Sequence, residues 1–144
     1  EGATILTDTQ MARSGINKAA LAKVGGEALC FMSDPDVAQA AKEKGTTRAT
    51  ACMDKAAALG GNLIIAVGNA PTALVRLHQL MEEGKIAPRL IIGVPVGFVN
   101  VVESKELILS SSVPFIVARG RKGGSNVAAA ICNALLYLAT GRAL

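Results

Sequence analysis

Tryptophan is absent from this 144-residue chain, and its aromatic content is limited to three Phe and one Tyr. With hydrophobic residues at 51% but aromatics at 3%, the interior must be filled by closely packed Ala, Val, Ile and Leu. The same shortage removes the stacking platforms that a single-strand nucleic-acid binder needs. Histidine occurs once, as His78, so neither a zinc site nor Ser-His-Asp chemistry has a constellation here. Apolar runs such as Leu63 to Val67, Leu90 to Ile92 and Val127 to Ile131 are far too short to cross a bilayer, which excludes a membrane span. Neither Gly-x-x-x-x-Gly-Lys-Ser/Thr nor Gly-x-Gly-x-x-Gly is present, so nucleotide binding has no motif to support it.

Cysteine is scarce as well. Cys30, Cys52 and Cys132 are odd in number, widely spaced and set in apolar segments, and no Cys-x-x-Cys occurs. That pattern predicts reduced core thiols in a cytoplasmic protein and no metal site. The opening Glu1-Gly2-Ala3 carries neither an initiator Met nor a basic region leading into a hydrophobic one, so the chain is expected to begin within a longer product. Fifteen basic against eleven acidic side chains leave a net charge of +4, which attracts anions but is modest for a nucleic-acid partner.

What is present is a regular alternation of short β-branched runs with longer Ala-rich helical patterns, in a length suited to one domain over residues 1–144. It predicts an α/β three-layer sandwich of Rossmann-like type, with a mostly parallel sheet flanked by helices. Strands are expected near Ala28–Met32, Leu63–Val67, Leu90–Val94 and Val113–Ala118, with a weaker one at Thr4–Leu6. Helices are expected over Pro35–Lys44, opened by Ser33-Asp34-Pro35-Asp36 and stopped by Gly45, and over Thr47–Leu59, Pro71–Gly84, Val99–Leu109 and Ser125–Ala139. The last is apolar almost all round, which suggests a sheet on one side and a second subunit on the other.

Ligands of parallel sheets bind beyond the carboxyl ends of the strands, so the following loops matter most. Gly68-Asn69-Ala70-Pro71-Thr72 reads either as an anion or carbonyl clamp at a helix N-terminus or as an ordinary turn and cap. Gly93-Val94-Pro95-Val96-Gly97-Phe98 reads as an apolar rim for a large greasy ligand, or as a tight turn with Phe98 in the core. Arg119-Gly120-Arg121-Lys122-Gly123-Gly124-Ser125 offers three cations before a helix N-terminus, or is simply a solvated basic loop. Arg48, after Thr46-Thr47, either binds a carboxylate or pairs with an acid such as Glu43. In Thr7-Asp8-Thr9-Gln10-Met11, Asp8 is a helix cap or a polar anchor. His78 falls on an apolar helical face with Leu74, Leu77 and Met81, which favours a core or interface role over proton transfer.

Taken together, Gly68 to Leu74, Gly93 to Val99, Glu103-Ser104-Lys105 and Arg119 to Ser125 resemble, in order, the signature segments of the precorrin-8X methylmutases. The resemblance also takes in Ile5 to Met11 and Thr46-Thr47-Arg48, and so covers essentially the whole chain. It implies a homodimeric isomerase that moves a methyl group from C-11 to C-12 of a corrinoid, forming hydrogenobyrinate or cobyrinate in cobalamin biosynthesis without a cofactor. It further implies a sigmatropic shift assisted by a histidine that lies N-terminal to the part matching Glu1. The chain is therefore expected to be the larger, C-terminal part of such an enzyme, with no catalytic residue of its own, since His78 does not match that histidine.

Substrate-binding roles carry over to Asp8, Gln10 and Met11, to Thr47 and Arg48, and to Asn69, Ala70, Pro71 and Thr72. They carry over likewise to Pro95, Val96 and Gly97 and to the cations Arg119 and Arg121, with Lys122 beside them. The rival expectation is a non-catalytic module that holds an anionic metabolite or nucleotide at the same strand ends.

Overall fold

The computed structural model describes residues 3–141, which leaves the Glu1-Gly2 opening outside the described part. Five strands form one sheet: β1 (Thr4–Thr7), β2 (Glu27–Cys30), β3 (Leu63–Val67), β4 (Leu90–Gly93) and β5 (Phe115–Val117). All four pairings are parallel, in the order β2-β1-β3-β4-β5, so the expected mostly parallel sheet is parallel throughout. In that order the chain winds outward in both directions from the junction of β1 and β3. Their carboxyl ends diverge there into loops that leave a crevice between them.

Both faces of the sheet are buried, and the alternation along each strand decides what each face receives. Leu6, Leu63, Ile65, Val67 and Ile91 point to one side. They meet α3 (Pro35–Lys44), α4 (Arg48–Ala57), α5 (Pro71–Glu82) and α6 (Val101–Leu109) through Val37, Met53, Leu74, Leu77 and Ile108. Ile5, Ala28, Ala66 and Ile92 point to the other side, against α1 (Gln10–Gly15), α2 (Lys18–Lys23) and α7 (Ser125–Ala139). Ala12, Ala20, Ala128 and Cys132 are the buried contacts from those helices, and such short side chains bring helix and sheet close together. Phe31 is the one phenylalanine of the core; Phe98 and Phe115 are exposed.

Two helices depart from expectation. α1 and α2 have six residues each, under two turns, which is too short for a 3.6-residue period to emerge. Each is nonetheless capped by its own side chain: Thr9 Oγ1 and Asn17 Oδ1 accept from the N–H groups of Ala12 and Ala20, both at 3.0 Å. The expected side-chain cap on α3 does not form. Asp34 sits at the N-cap position, but its carboxylate pairs with Lys55 at 2.8 Å instead. Gly45 stops α3 as expected, in the left-handed conformation at φ 65°. His78 lies along α5, half-buried and 3.6 Å from Glu82 one turn on.

The three thiols are free and buried, and burial pushes Cys52 and Cys132 up to about 12, so neither ionises near neutrality. Among the described residues no helix is long and apolar enough to cross a membrane, and no group of three or more His, Cys, Asp or Glu side chains converges on a metal position.

Leu74 is 0% exposed at the helix–sheet interface, whereas Leu59 is 45% exposed after α4. Leu74→Ala should therefore cost about 3 kcal/mol in a denaturant titration with unchanged slope. Leu59→Ala should stay under about 1 kcal/mol.

Candidate functional site

At the junction of β1 and β3 the two following loops are locked together by one carboxylate. Asp8 is 1% exposed. Its Oδ1 accepts from the Gly68 N–H at 2.8 Å, while Oδ2 accepts from Asn69 and Ala70 at 2.8 and 2.7 Å. Burial pushes the Asp8 carboxyl above its ordinary value, and these three N–H groups pull against that shift. The loop thus makes the clamp that its composition suggested, but the anion it holds is internal. Asp8 is not the cap of α1, a role that Thr9 takes, and its side chain is buried.

The loop after β3 also lies hard against the start of α7. A Cβ on Gly68 would come within 2.7 Å of the Ser125 Cα and 2.8 Å of the Gly124 carbonyl oxygen, so only glycine permits the approach. Thr9 and Ser125 close the junction with a 2.8 Å hydroxyl contact. The result is a cleft of about 450 Å³, bounded by Thr9, Met11, Gly68, Asn69, Val96 and the Gly123–Asn126 turn. It opens at the carboxyl ends of the strands, where a doubly wound sheet places its ligand.

The rim is oily. Met11, Val96, Phe98 and Val99 are 64, 46, 83 and 78% exposed, so Phe98 is no core side chain. Pro95 lies buried beneath them. The loops after β4 and β5 are joined by backbone: Gly97 N–H donates to the Arg121 carbonyl at 3.2 Å, and Gly124 N–H to that of Val94 at 2.8 Å. Beneath them Lys105, 0% exposed, donates from Nζ to the carbonyls of Ala118, Gly120 and Lys122 at 2.6, 2.7 and 2.9 Å. Burial pushes the Lys105 ammonium below its ordinary value.

The cations fall into two groups. Arg119 is taken by Glu106, with 3.2 and 3.3 Å hydrogen bonds, so its charge is already half-answered at the surface. Arg121 lies 6.0 Å from the centre of the Phe98 ring and has no carboxylate partner among the described residues. Arg48 is exposed, and the alternative pairing with Glu43 does not form; Glu43 accepts from Gln39 instead. Thr47 caps α4 and lies 3.3 Å from the Thr72 hydroxyl, which brings Arg48 alongside the start of α5. Pro71 opens α5 with Ala70 at its N-cap. Gln10 is exposed and accepts from Arg13 at 3.4 Å.

Of the residues singled out from sequence, Met11, Asn69 and Val96 line the cleft itself, with Gly97 and Arg121 on its rim. Thr9, Ser125 and Asn126 line it too and were given no binding role from sequence. The Thr9–Ser125 contact spans 116 residues of sequence, so no local spacing could have signalled it. A second hollow, about 280 Å³ beneath α7, is walled by Ile5, Leu21, Ile64, Leu90, Ile92 and Leu135 among others. Its lining is almost wholly aliphatic, with nothing to orient a polar ligand.

A family model described as precorrin-8X methylmutase matches residues 1–138. The cobalt-precorrin-8 methylmutase of Salmonella typhimurium is 54% identical over 136 residues, a match covering 92% of this chain and 62% of that protein. The Priestia megaterium protein of the same description is 48% identical over 138 residues, covering 96% and 61%. The chain thus spans a little over three-fifths of the length of these relatives. A solved structure of the precorrin-8X methylmutase from Thermus thermophilus superposes with a TM-score of 0.87 at 39% identity, over 97% of this chain and 68% of that one.

Asp8→Asn keeps the shape of the side chain but turns an amide N–H₂ toward donors. The variant should lose about 3 kcal/mol of stability, read from its denaturation midpoint. Amide exchange at Gly68, Asn69 and Ala70 should quicken before that of β3; unchanged exchange there would contradict the anchoring role.

Proposed function

The chain belongs to the precorrin-8X methylmutase family, and from that premise we propose that it forms the corrinoid-binding part of an isomerase that moves a methyl group from C-11 to C-12 of a precorrin-8 type macrocycle. The product is hydrogenobyrinate, or cobyrinate where cobalt is present, in cobalamin biosynthesis. The reaction is internal to one molecule: one carbon–carbon bond breaks as another forms, and no external cofactor is consumed.

The observation that carries this reading is the chemistry of the rim. A flat conjugated ring bearing many carboxylate arms needs an apolar wall and outlying cations. Met11, Val96, Phe98 and Val99 supply the wall, and Arg48, Arg121 and Lys122 supply charge around it. Carboxylate arms fit unpaired guanidinium groups through two-pronged hydrogen bonds. None of the side chains bounding the cleft titrates near neutral pH, so its share in catalysis is to bind one tautomer and orient the migrating methyl. A non-catalytic module for an anionic metabolite or nucleotide is the weaker reading, because the N–H groups of Gly68, Asn69 and Ala70 are already committed to Asp8.

The proposed assembly is a homodimer with no nucleic-acid or membrane partner. α7 supports it by burying Ala128, Cys132 and Leu136 on the sheet side while exposing Val127 and Leu138, an apolar edge that a second copy could cover. A cytoplasmic setting accords with three buried, unbridged thiols.

Titrating hydrogenobyrinate into the protein should shift the visible spectrum of the ligand with saturation near one per chain. Arg48→Ala should weaken that binding about tenfold at unchanged stability, since the side chain is exposed and, among the described residues, unpaired. No spectral change at stoichiometric concentration would contradict the corrinoid assignment.

A further inference from the structure

Lys105 heads the fully buried side chains by size, yet the cleft gives it no contact with a ligand. Its three ammonium hydrogens are all used, on three carbonyls of a single loop, and among the described residues no carboxylate pairs with it. A buried charge held only by backbone dipoles is a demanding arrangement when Met would fill similar space without desolvation. Its effect is specific. The bonded carbonyls belong to alternate residues, Ala118, Gly120 and Lys122, and the intervening Arg119 and Arg121 are left exposed.

The consequence reaches the rim through Arg121. Its carbonyl accepts from Gly97, and its guanidinium faces the Phe98 ring, so its backbone and side chain both touch the loop after β4. Two residues on, Gly123 approaches Val94 so closely that a Cβ would fall inside the Val94 carbonyl. The loop after β5 therefore has little freedom once its carbonyls are gathered, and its cations have one bearing relative to the wall.

We propose that Lys105 is a positioning residue for the corrinoid site: its ammonium draws the Ala118–Lys122 loop into one conformation and thereby holds Arg121 beside Phe98, where it meets a carboxylate arm of the macrocycle. The role rests on the corrinoid reading of the cleft. It differs from a plain stability role in that the energetic effects of Lys105 and Arg121 on ligand binding must be coupled.

Hydrogenobyrinate is titrated into the wild-type protein, K105M, R121A and the double variant, with circular dichroism recorded for each. K105M should keep its helical signal and bind about tenfold more weakly, and adding R121A should weaken it by no more than about twofold further. K105M binding within about twofold of wild type, or losses that multiply in the double variant, would overturn the positioning role while leaving the corrinoid reading intact. Absence of binding by the wild-type protein would remove both. If K105M does not fold, K105Q, which is neutral and one atom shorter and so cannot gather all three carbonyls, takes its place with the same expected weakening; failure of both to fold makes Lys105 a folding residue and ends the proposal.

Discussion

Everything at the carboxyl edge of the sheet is organised around one buried carboxylate. Asp8 leaves the end of β1 and collects three successive backbone N–H groups from the turn after β3. These donors cannot reach one another, and a buried N–H without a partner is costly, so the turn has this conformation only while Asp8 is beneath it. Once the turn is set, Gly68 admits the start of α7, Ser125 meets Thr9, and the crevice between the two halves of the sheet acquires its shape. The shape of this edge thus depends on a carboxylate that is itself buried.

Lys105 repeats the device with the opposite sign at the other side of the crevice. Where Asp8 gathers donors, Lys105 gathers acceptors, and each arrests a loop whose residues are too polar or too small to be held by packing. Both are stabilised by oriented peptide dipoles rather than by an ion pair, which leaves the arginines of the rim uncommitted. Arg119, to which sequence also assigned a binding role, is the exception, since it is paired with Glu106. On the corrinoid reading proposed above this construction is an advantage, since a preformed wall loses little conformational entropy on binding.

The sheet and its longer helices were legible from sequence because their signals are periodic. Leu63–Val67 and Leu90–Ile92 are apolar on both alternating faces, as strands covered by helices on both sides must be, and the glycines after α3 and α5 stand where expected. α1 and α2 were not legible, since six residues cannot display a helical period, although Thr9 and Asn17 are local caps of the usual kind. The site was half legible. Order of motifs along the chain pointed to the family and to loops that border the strand-end cleft, whereas the partners of Asp8 are 60 to 62 residues away and leave no trace in spacing. A lysine in a charged segment reads as solvated, so the burial of Lys105 was invisible, and the outward turn of Phe98 follows from the tertiary fold alone.

On the proposed reading the macrocycle lies against the strand-end crevice and not elsewhere on the protein. A crystal structure with hydrogenobyrinate bound decides the point. The ring should be found in van der Waals contact with Met11, Val96 and Phe98, with carboxylate arms directed at Arg48 and Arg121. A ring seated in the aliphatic hollow beneath α7, or on the opposite edge of the sheet, would contradict the account.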